Sequence, residues 1–321
     1  MSPSFARWSS TALRAATMSE PTLVFSTFTP PVALIETVRR FISRHPVVVV
    51  DDGGSDPHEV FPALLDLGAT VIRRPTNDGI AAALNAAMTV AYDAGAETVV
   101  TFDQDSTPTS DTIDILRDTW ERVSTAQPRV SAVVPAEFAQ VRQARSDEAL
   151  APARRVIQSG MLIPRAAFES LGPFDESLFI DLVDTDFELR SLSRGLRIIA
   201  APTRIDHELG SPVALAPFPL LPLTVTTMVS TPFRYYYRMR NRLILTRRYL
   251  RSAPGRMLAD LAVDLAYFAV VTASARPRRR MLAVLWRGVA DGFRGRGGRA
   301  PATVQAAAQQ ISWSTRTTRR R

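Results

Sequence analysis

Short apolar runs alternate with segments of helical period along the first 135 residues. Positions 22–26, 47–50, 70–73, 98–102 and 130–134 read as strands, several of them apolar at every position, as strands buried on both faces are. Between them, apolar residues recur at three- and four-residue spacing over 31–44, 60–67, 79–93 and 110–123, which predicts helices. The alternation predicts an α/β domain whose parallel sheet is covered by helices on both sides. A second set of elements follows: an apolar run at 159–163, a helix over about 182–194 stopped by Gly195, and a strand at 196–201. On that helix Leu182, Thr185, Leu189 and Leu192 make one stripe and Asp181, Asp184 and Glu188 another.

The pattern then changes. Residues 211–233 carry no charge, and five prolines among them forbid a spanning helix, so an apolar loop is expected. Residues 257–273 are apolar but interrupted by Asp260 and Asp264, which predicts an amphipathic helix lying on a surface. Residues 1–20 are Ser/Thr-rich without the apolar core of a signal peptide and are expected to be a disordered leader, with Met18 an alternative start. Residues 301–321 are expected to be a disordered basic tail.

Charge sharpens this division. All 39 basic residues are arginine and cysteine is absent, which excludes Schiff-base lysines, a P-loop lysine, thiolate nucleophiles and disulfides. The net charge of +8 hides two opposed halves. From Arg234 onward 20 arginines face three aspartates, a net of +17, whereas the first 233 residues hold 19 arginines and 28 acids, a net of −9. An acidic working module joined to a region that meets a polyanion, either nucleic acid or an anionic membrane, accounts for both.

In an α/β sheet the ligand crevice lies beyond the carboxyl ends of the strands, and here the residues found there are acidic. Asp51 and Asp52 follow the second strand, and Asp103-Gln104-Asp105 follows the fourth. Two carboxylates two residues apart on an extended backbone point the same way and suit Mg²⁺ or Mn²⁺ holding a diphosphate, although a capping turn needs the same residue types. A carboxylate at a strand end beside Gly53 and Gly54 suits the imide N–H of a pyrimidine, and equally a tight turn. Asn77-Asp78-Gly79 opens a helix whose N–H groups face a nucleotide, with Asn85 in its interior. His207, close behind a strand, is a candidate metal ligand, though a lone histidine is more often structural.

Taken in order, Val50-Asp51-Asp52-Gly53, Asn77-Asp78-Gly79-Ile80 with Asn85, Phe102-Asp103-Gln104-Asp105-Ser106, Ser159-Gly160, the run 172–176, the run 181–190 and His207-Glu208-Leu209-Gly210 resemble the family-2 inverting glycosyltransferases of GT-A fold. The Phe-Asp-Gln-Asp-Ser string and residues 234–241 (RYYYRMRN) resemble their rhamnosyltransferase branch, and the resemblance covers about residues 20–250. It implies a Rossmann-like mixed sheet over 21–210, with a nucleotide-sugar half at about 21–135 and an acceptor half at about 136–210. Residues 211–300 would then form an amphipathic, membrane-associated extension.

By the same resemblance Asp103 and Asp105 hold metal and donor diphosphate with His207, and Asp51, Asp52, Asn77, Asp78, Gly79, Asn85 and Gln104 serve the nucleotide sugar. Asp184 is the catalytic base, its charge state tuned by Asp181, Asp186 and Glu188. Val183 stands where the family has Glu, a departure for which Asp181 offers a charge. Ser159, Gly160, Asp181, Arg238 and Asn241 serve the acceptor or a diphosphate. The implied donor is dTDP-L-rhamnose, with UDP-galactofuranose or another UDP-hexose as alternatives. The implied acceptor is a glycan or a polyprenyl-diphosphate-linked sugar at the cytoplasmic face of the cell membrane, nucleic acid is not a partner, and a homodimer stays open. A non-enzymatic nucleic-acid or membrane binder would explain the arginines but not carboxylates at successive strand ends.

Overall fold

The computed structural model describes residues 20–126, 129–139, 141–146, 148, 150–206, 213–215 and 225–314. The leader at 1–20, save Glu20, and His207 with residues 208–210 lie outside the described residues. So do much of the uncharged stretch at 211–233 and the end of the tail.

Strands β1 (Thr22–Thr27), β2 (Val47–Asp51), β3 (Thr70–Arg73) and β4 (Thr98–Asp103) pair in parallel in the order β3-β2-β1-β4. Beyond β4 the sheet continues with β5 (Val130–Phe138), β6 (Val141–Arg142), β7 (Met161–Pro164) and β8 (Arg197–Ile205). β7 runs antiparallel to β4 and to β5, while β8 lies parallel to β5. The sheet is therefore mixed, as the resemblance implies, and not uniformly parallel as the apolar runs alone suggest. A strand buried on both faces carries no mark of its direction in composition.

Helices α1 (Ala33–Phe41), α2 (Val60–Asp66) and α4 (Ser110–Ala126) cover one face, packing on a cluster that includes Phe25, Phe41, Phe61, Phe102 and Leu116. The other face takes α3 (Ile80–Asp93), α5 (Arg165–Leu171) and α6 (Val183–Ser193), with Val24, Leu84, Met88 and Phe187 in its core. Register aligns the strand ends, since Ser26 pairs with Asp103 and Thr27 with Asp51. Both acidic strand ends thus open on one edge of the sheet.

The C-terminal region is a helical layer built on the domain. Helix α7 (Arg234–Tyr249) sends Leu245 and Tyr249 into the same core as α3 and α6, and its first turns pack with α8 (Pro254–Ser274), α9 (Arg278–Arg294) and α10 (Ala302–Ala308). Short strands β9 (Val213–Leu215) with β10 (Val225–Thr227), and β11 (Ala275–Arg276) with β12 (Ser312–Trp313), form two small ribbons. Residues 301–314 were expected in a disordered tail, but they are ordered because Val304, Ala308 and Ile311 are buried against α7 and α9.

Helix α8 is long and apolar enough to cross a membrane by length and composition. Its two aspartates face inward, however. Asp264 receives Arg238 at 2.7 Å and Arg242 at 2.6 Å, and Asp260 receives Arg242 at 3.4 Å and Arg256 at 3.5 Å. The helix is amphipathic as expected but inverted, with charge inside and Leu258, Val263 and Leu265 outside.

Helix α6 departs from its expected stripes in the same way. Leu192 is exposed, whereas Asp186 and Glu188 are buried. Arg248 and the Tyr249 hydroxyl donate to Asp186, and Arg256 forks onto both oxygens of Glu188. Arginines of the basic half thus pair with acids of the acidic half across an internal seam. Replacing Arg256 with Ala leaves Glu188 buried with little beyond the Val156 N–H, which donates at 3.3 Å. Urea unfolding of that variant should show a loss of about 3 kcal/mol; a loss below about 0.5 kcal/mol would mean that solvent reaches the carboxylate.

Candidate active site

The ends of β1, β2 and β4, the turn at 77–79 and the N-terminus of α6 meet along the sheet edge. Asp51 is buried. Its Oδ1 accepts the Gly54 N–H at 2.9 Å, while its Oδ2 is buried without a hydrogen bond and lies 3.7 Å from Arg73. Asn77 Oδ1 is likewise buried without a donor, and Gly53 packs directly on the Asn77 backbone. Two unpaired acceptors flank one tight turn, an arrangement that a ligand N–H would relieve. Asp52 is different. Its oxygens take the N–H groups of Asp78 at 3.1 Å and Gly79 at 2.8 Å, and Arg74 at 3.4 Å. It therefore fixes the 77–79 turn.

Gly79 has φ +97°, and a Cβ there would sit 2.3 Å from the carbonyl oxygen of Phe179. That contact presses the turn against residues 179–182, where Phe179, Asp181 and Leu182 all hold left-handed backbone. The strained stretch delivers Asp181 and then Asp184, in the first turn of α6, to the crevice.

Asp103 accepts a hydrogen bond on Oδ1 from the Gln158 side chain, and its N–H donates to the Ser159 hydroxyl at 3.1 Å. Burial, with Asp105 beside it, pushes its carboxyl up to about 6. Asp184 is also pushed up to about 6, chiefly by burial. The Thr185 N–H, donating to Oδ1 at 2.7 Å, opposes the rise, and Glu188, Asp181 and Asp103 add to it. Asp186, expected to contribute, is not among these causes; it pairs with Arg248. Arg234 stands in the same field. It grips Asp181 bidentately at 2.6 and 3.2 Å and feels both Asp103 and Asp184, which hold its guanidinium above its ordinary range.

This is a carboxylate-rich crevice at the ends of parallel strands, with buried acceptors on one side and Arg234 beside Asp181. Residues 28–164, which contain the strand ends and Asp103-Gln104-Asp105, match the family model "Glycosyl transferase family 2". The chain carries a family-2 glycosyltransferase domain. It is 28% identical over 186 residues to a dTDP-rhamnosyl transferase, RfbF, of Shigella flexneri; the match spans 54% of this chain and 61% of that protein. Among solved structures, S. aureus TarS residues 1–349 with UDP-GlcNAc aligns over 93% of this chain and 97% of that one at 13% identity and a TM-score of 0.49. A longer TarS structure aligns over 70% of this chain and 39% of that one at 15% identity and a TM-score of 0.48.

Within the transferase domain several expected ligand contacts turn out to be braces. Asn85 is buried and spends its amide on Phe174 N–H, Phe174 carbonyl and Glu176, so it ties α3 to the 174–176 turn instead of facing a nucleotide. The Gln104 side chain accepts the Phe28 N–H at 2.8 Å and closes the end of β1 onto β4. Ser159 is buried and bonds Ser106 at 2.7 Å, and Gly160 donates its N–H to Thr101 with Ile205 packed where a Cβ would stand. Both brace the strand end that carries Asp103. Arg238 is committed to Asp264 on α8, and Asn241 is fully buried, holding the carbonyls of Leu178, Ile180 and Asp181. The sequence missed Arg234 and Gln158. Arg234 sits four residues before Arg238 in the same RYYYR run, so both lie on one face of α7, and their position along the helix, one turn apart, decides that Arg234 meets Asp181 and Arg238 meets Asp264.

A carboxyl-carbon NMR titration of the protein should find Asp103 and Asp184 titrating near 6. In Asp105→Asn the Asp103 value should fall part of the way toward the ordinary range while Asp184 stays in place, since Asp105 raises only the former. An unmoved Asp103 would show that the two carboxylates do not share a field.

Proposed function

We propose that the chain is a metal-dependent inverting glycosyltransferase that moves L-rhamnose from dTDP-rhamnose to a glycan acceptor. The observation that carries this reading is Asp184, a half-buried carboxyl pushed up to about 6, at the N-terminus of α6 in the electrostatic field of Asp103. The donor assignment rests on the likeness to the Shigella flexneri dTDP-rhamnosyl transferase, 61% of whose length the match spans.

Asp103 and Asp105 suit a hard divalent cation. Both ligands are oxygen, Asp103 Oδ2 takes no hydrogen bond, and no cluster of three or more His, Asp or Glu ligands exists among the described residues, so phosphate oxygens and water would complete the shell. Mg²⁺ or Mn²⁺ held there supplies charge stabilisation to a departing diphosphate. Asp51 Oδ2 and Asn77 Oδ1 receive the base edge. Arg234 adds a positive group beside the same phosphates. Asp184 takes the proton from an acceptor hydroxyl as that oxygen attacks the anomeric carbon from the face opposite the diphosphate, which inverts the configuration.

The helical layer suits work at a lipid surface on the cytoplasmic side. On α9, Leu282, Trp286 and Phe293 follow one line along the helix and are 56%, 73% and 61% exposed. Arg278, Arg279 and Arg280 stand at one end of that line and Arg294 and Arg296 at the other. Exposed aromatics bounded by arginines are the composition of helices that lie in the headgroup region of anionic membranes.

Asp184→Asn should lower turnover by about three orders of magnitude while dTDP-rhamnose binding persists; near-wild-type turnover with the fold intact would sink the assignment. In a donor screen following nucleoside diphosphate release with Mn²⁺, turnover should rise with pH through about 6 as Asp184 ionises. Release from UDP-sugars alone would overturn the donor. In Trp286→Ala/Phe293→Ala, sedimentation with anionic vesicles should fall at least about tenfold, and unaltered sedimentation would remove the membrane role of α9.

A further inference from the structure

A second concavity, of about 830 Å³, opens away from the strand ends, between the excursion that joins β5 to β7, the C-terminal half of α6 and the start of α8. Among the described residues its walls carry Arg142, Arg145, Arg154, Arg155 and Arg256 against one carboxylate, Asp260. That carboxylate is already spoken for by Arg242, Arg256 and Arg155. Arg145 and Arg154 are exposed, and their side chains have no ion pair among the described residues.

The arginines are placed by regular structure. Ala144 and Ala153 form an antiparallel bridge, the Arg145 N–H donates to the Pro152 carbonyl at 3.1 Å, and the Arg154 N–H donates to Gln143 at 2.9 Å. A two-stranded ribbon thus brings residues 142–145 and 152–155 together. Arg155 is held in left-handed backbone, φ +54°, a conformation unfavourable in a residue with a side chain. Like-charged groups gathered on a paired ribbon repel one another in the empty groove, and an anion would reverse the sign of that interaction.

We propose that this groove is an anion site separate from the donor crevice, which takes a phosphate or diphosphate group attached to a larger body. Guanidinium forks match phosphate oxygens two at a time. The volume exceeds that of a bare phosphate and falls in the range of pockets that enclose whole ligands. Leu189, Leu192 and Ala259 supply apolar wall for the part that carries the phosphate.

Position relates the groove to the chemistry. Leu189 and Leu192 on the groove wall lie five and eight residues beyond Asp184 on α6, so the wall begins within about 12 Å of helix rise from Asp184. The segment from Arg154 to Gln158 forms the groove wall at its start, donates to Glu188 through the Val156 N–H, and holds Asp103 at its end. An acceptor sugar at Asp184 would carry its phosphate about one or two sugar units away, within reach of the arginines. Assigning the ligand to the acceptor rests on the transfer reading above; the anion site itself does not.

The test is calorimetric titration of the full chain with inorganic pyrophosphate in the presence of a chelator, so that no divalent ion recruits phosphate to Asp103 and Asp105. The wild type and Asp105→Ala should bind alike, and Arg145→Glu/Arg154→Glu should bind at least about tenfold more weakly. These two side chains are exposed, and the thermal unfolding of the double variant should match the wild type. Equal pyrophosphate binding by wild type and double variant overturns the proposal, as does an absence of binding to the wild type. Sedimentation with phosphatidylcholine vesicles containing phosphatidic acid separates the sources of the phosphate. Loss in the double variant assigns a membrane-borne phosphate, whereas unchanged sedimentation beside weakened pyrophosphate binding assigns a soluble phosphorylated ligand. Donor turnover absent from every variant and from the wild type would sink the transfer reading and leave the anion site standing.

Discussion

The buried carboxylates of α6 and of the loop before it, met by arginines of α7 and α8, are the interaction on which the rest of the structure depends. Asp186 and Glu188 point into the protein, where an unpaired carboxylate would cost several kcal/mol or take up a proton. Arg248 and Arg256 supply the counter-charge, and Arg234 does the same for Asp181. Because the arginines come from a separate layer, the helices at 234–274 cannot leave the domain without exposing charge inside it. In return, α6 is held at a fixed angle and depth, with Asp184 at its first turn presented to the crevice.

The same arrangement separates two sets of acids that sequence alone treats as equivalent. Asp181, Asp186 and Glu188 are neutralised by arginine and act as scaffold. Asp103 and Asp184 have no arginine in hydrogen-bond contact among the described residues, are half-buried, and are pushed up to about 6. Asp51 and Asp52 divide likewise: Asp52 fixes a turn with both oxygens, and Asp51 keeps one oxygen without a donor. Groups left with unmet electrostatic or hydrogen-bonding demand are the ones available to a ligand, and they collect on one edge of the sheet because β1, β2 and β4 end in register.

Much of this was legible in the chain. The apolar runs located β1 to β4 and the strands at 130–134 and 196–201, since burial on both faces leaves an unmistakable pattern, and the acids behind those runs marked the crevice. What the pattern could not carry was direction and partnership. β7 is as apolar as its parallel neighbours and yet runs the other way. Arg238 and Asn241 were read as ligand contacts because they lie in a suggestive run, but α7 commits Arg238 to Asp264 and Asn241 to backbone carbonyls, and it is Arg234 that meets Asp181 at the crevice. Asp260 and Asp264 looked like interruptions in a surface helix; paired with Arg238, Arg242 and Arg256 they are its inner face. Apart from the i,i+4 pair of Arg256 with Asp260, the deciding contacts span about twenty residues of sequence or more, beyond what periodicity or spacing encodes.

The central claim is that Asp184 and the Asp103/Asp105 pair act on opposite faces of one donor sugar. A crystal structure of the protein with dTDP-rhamnose and Mn²⁺, the metal located by its anomalous scattering, tests it most directly. The account predicts the metal and diphosphate at Asp103 and Asp105, the thymine edge at Asp51, and the Asp184 carboxylate on the side of the anomeric carbon turned away from the diphosphate. A diphosphate lying on the same side as Asp184, or a metal bound away from Asp103 and Asp105, would contradict it.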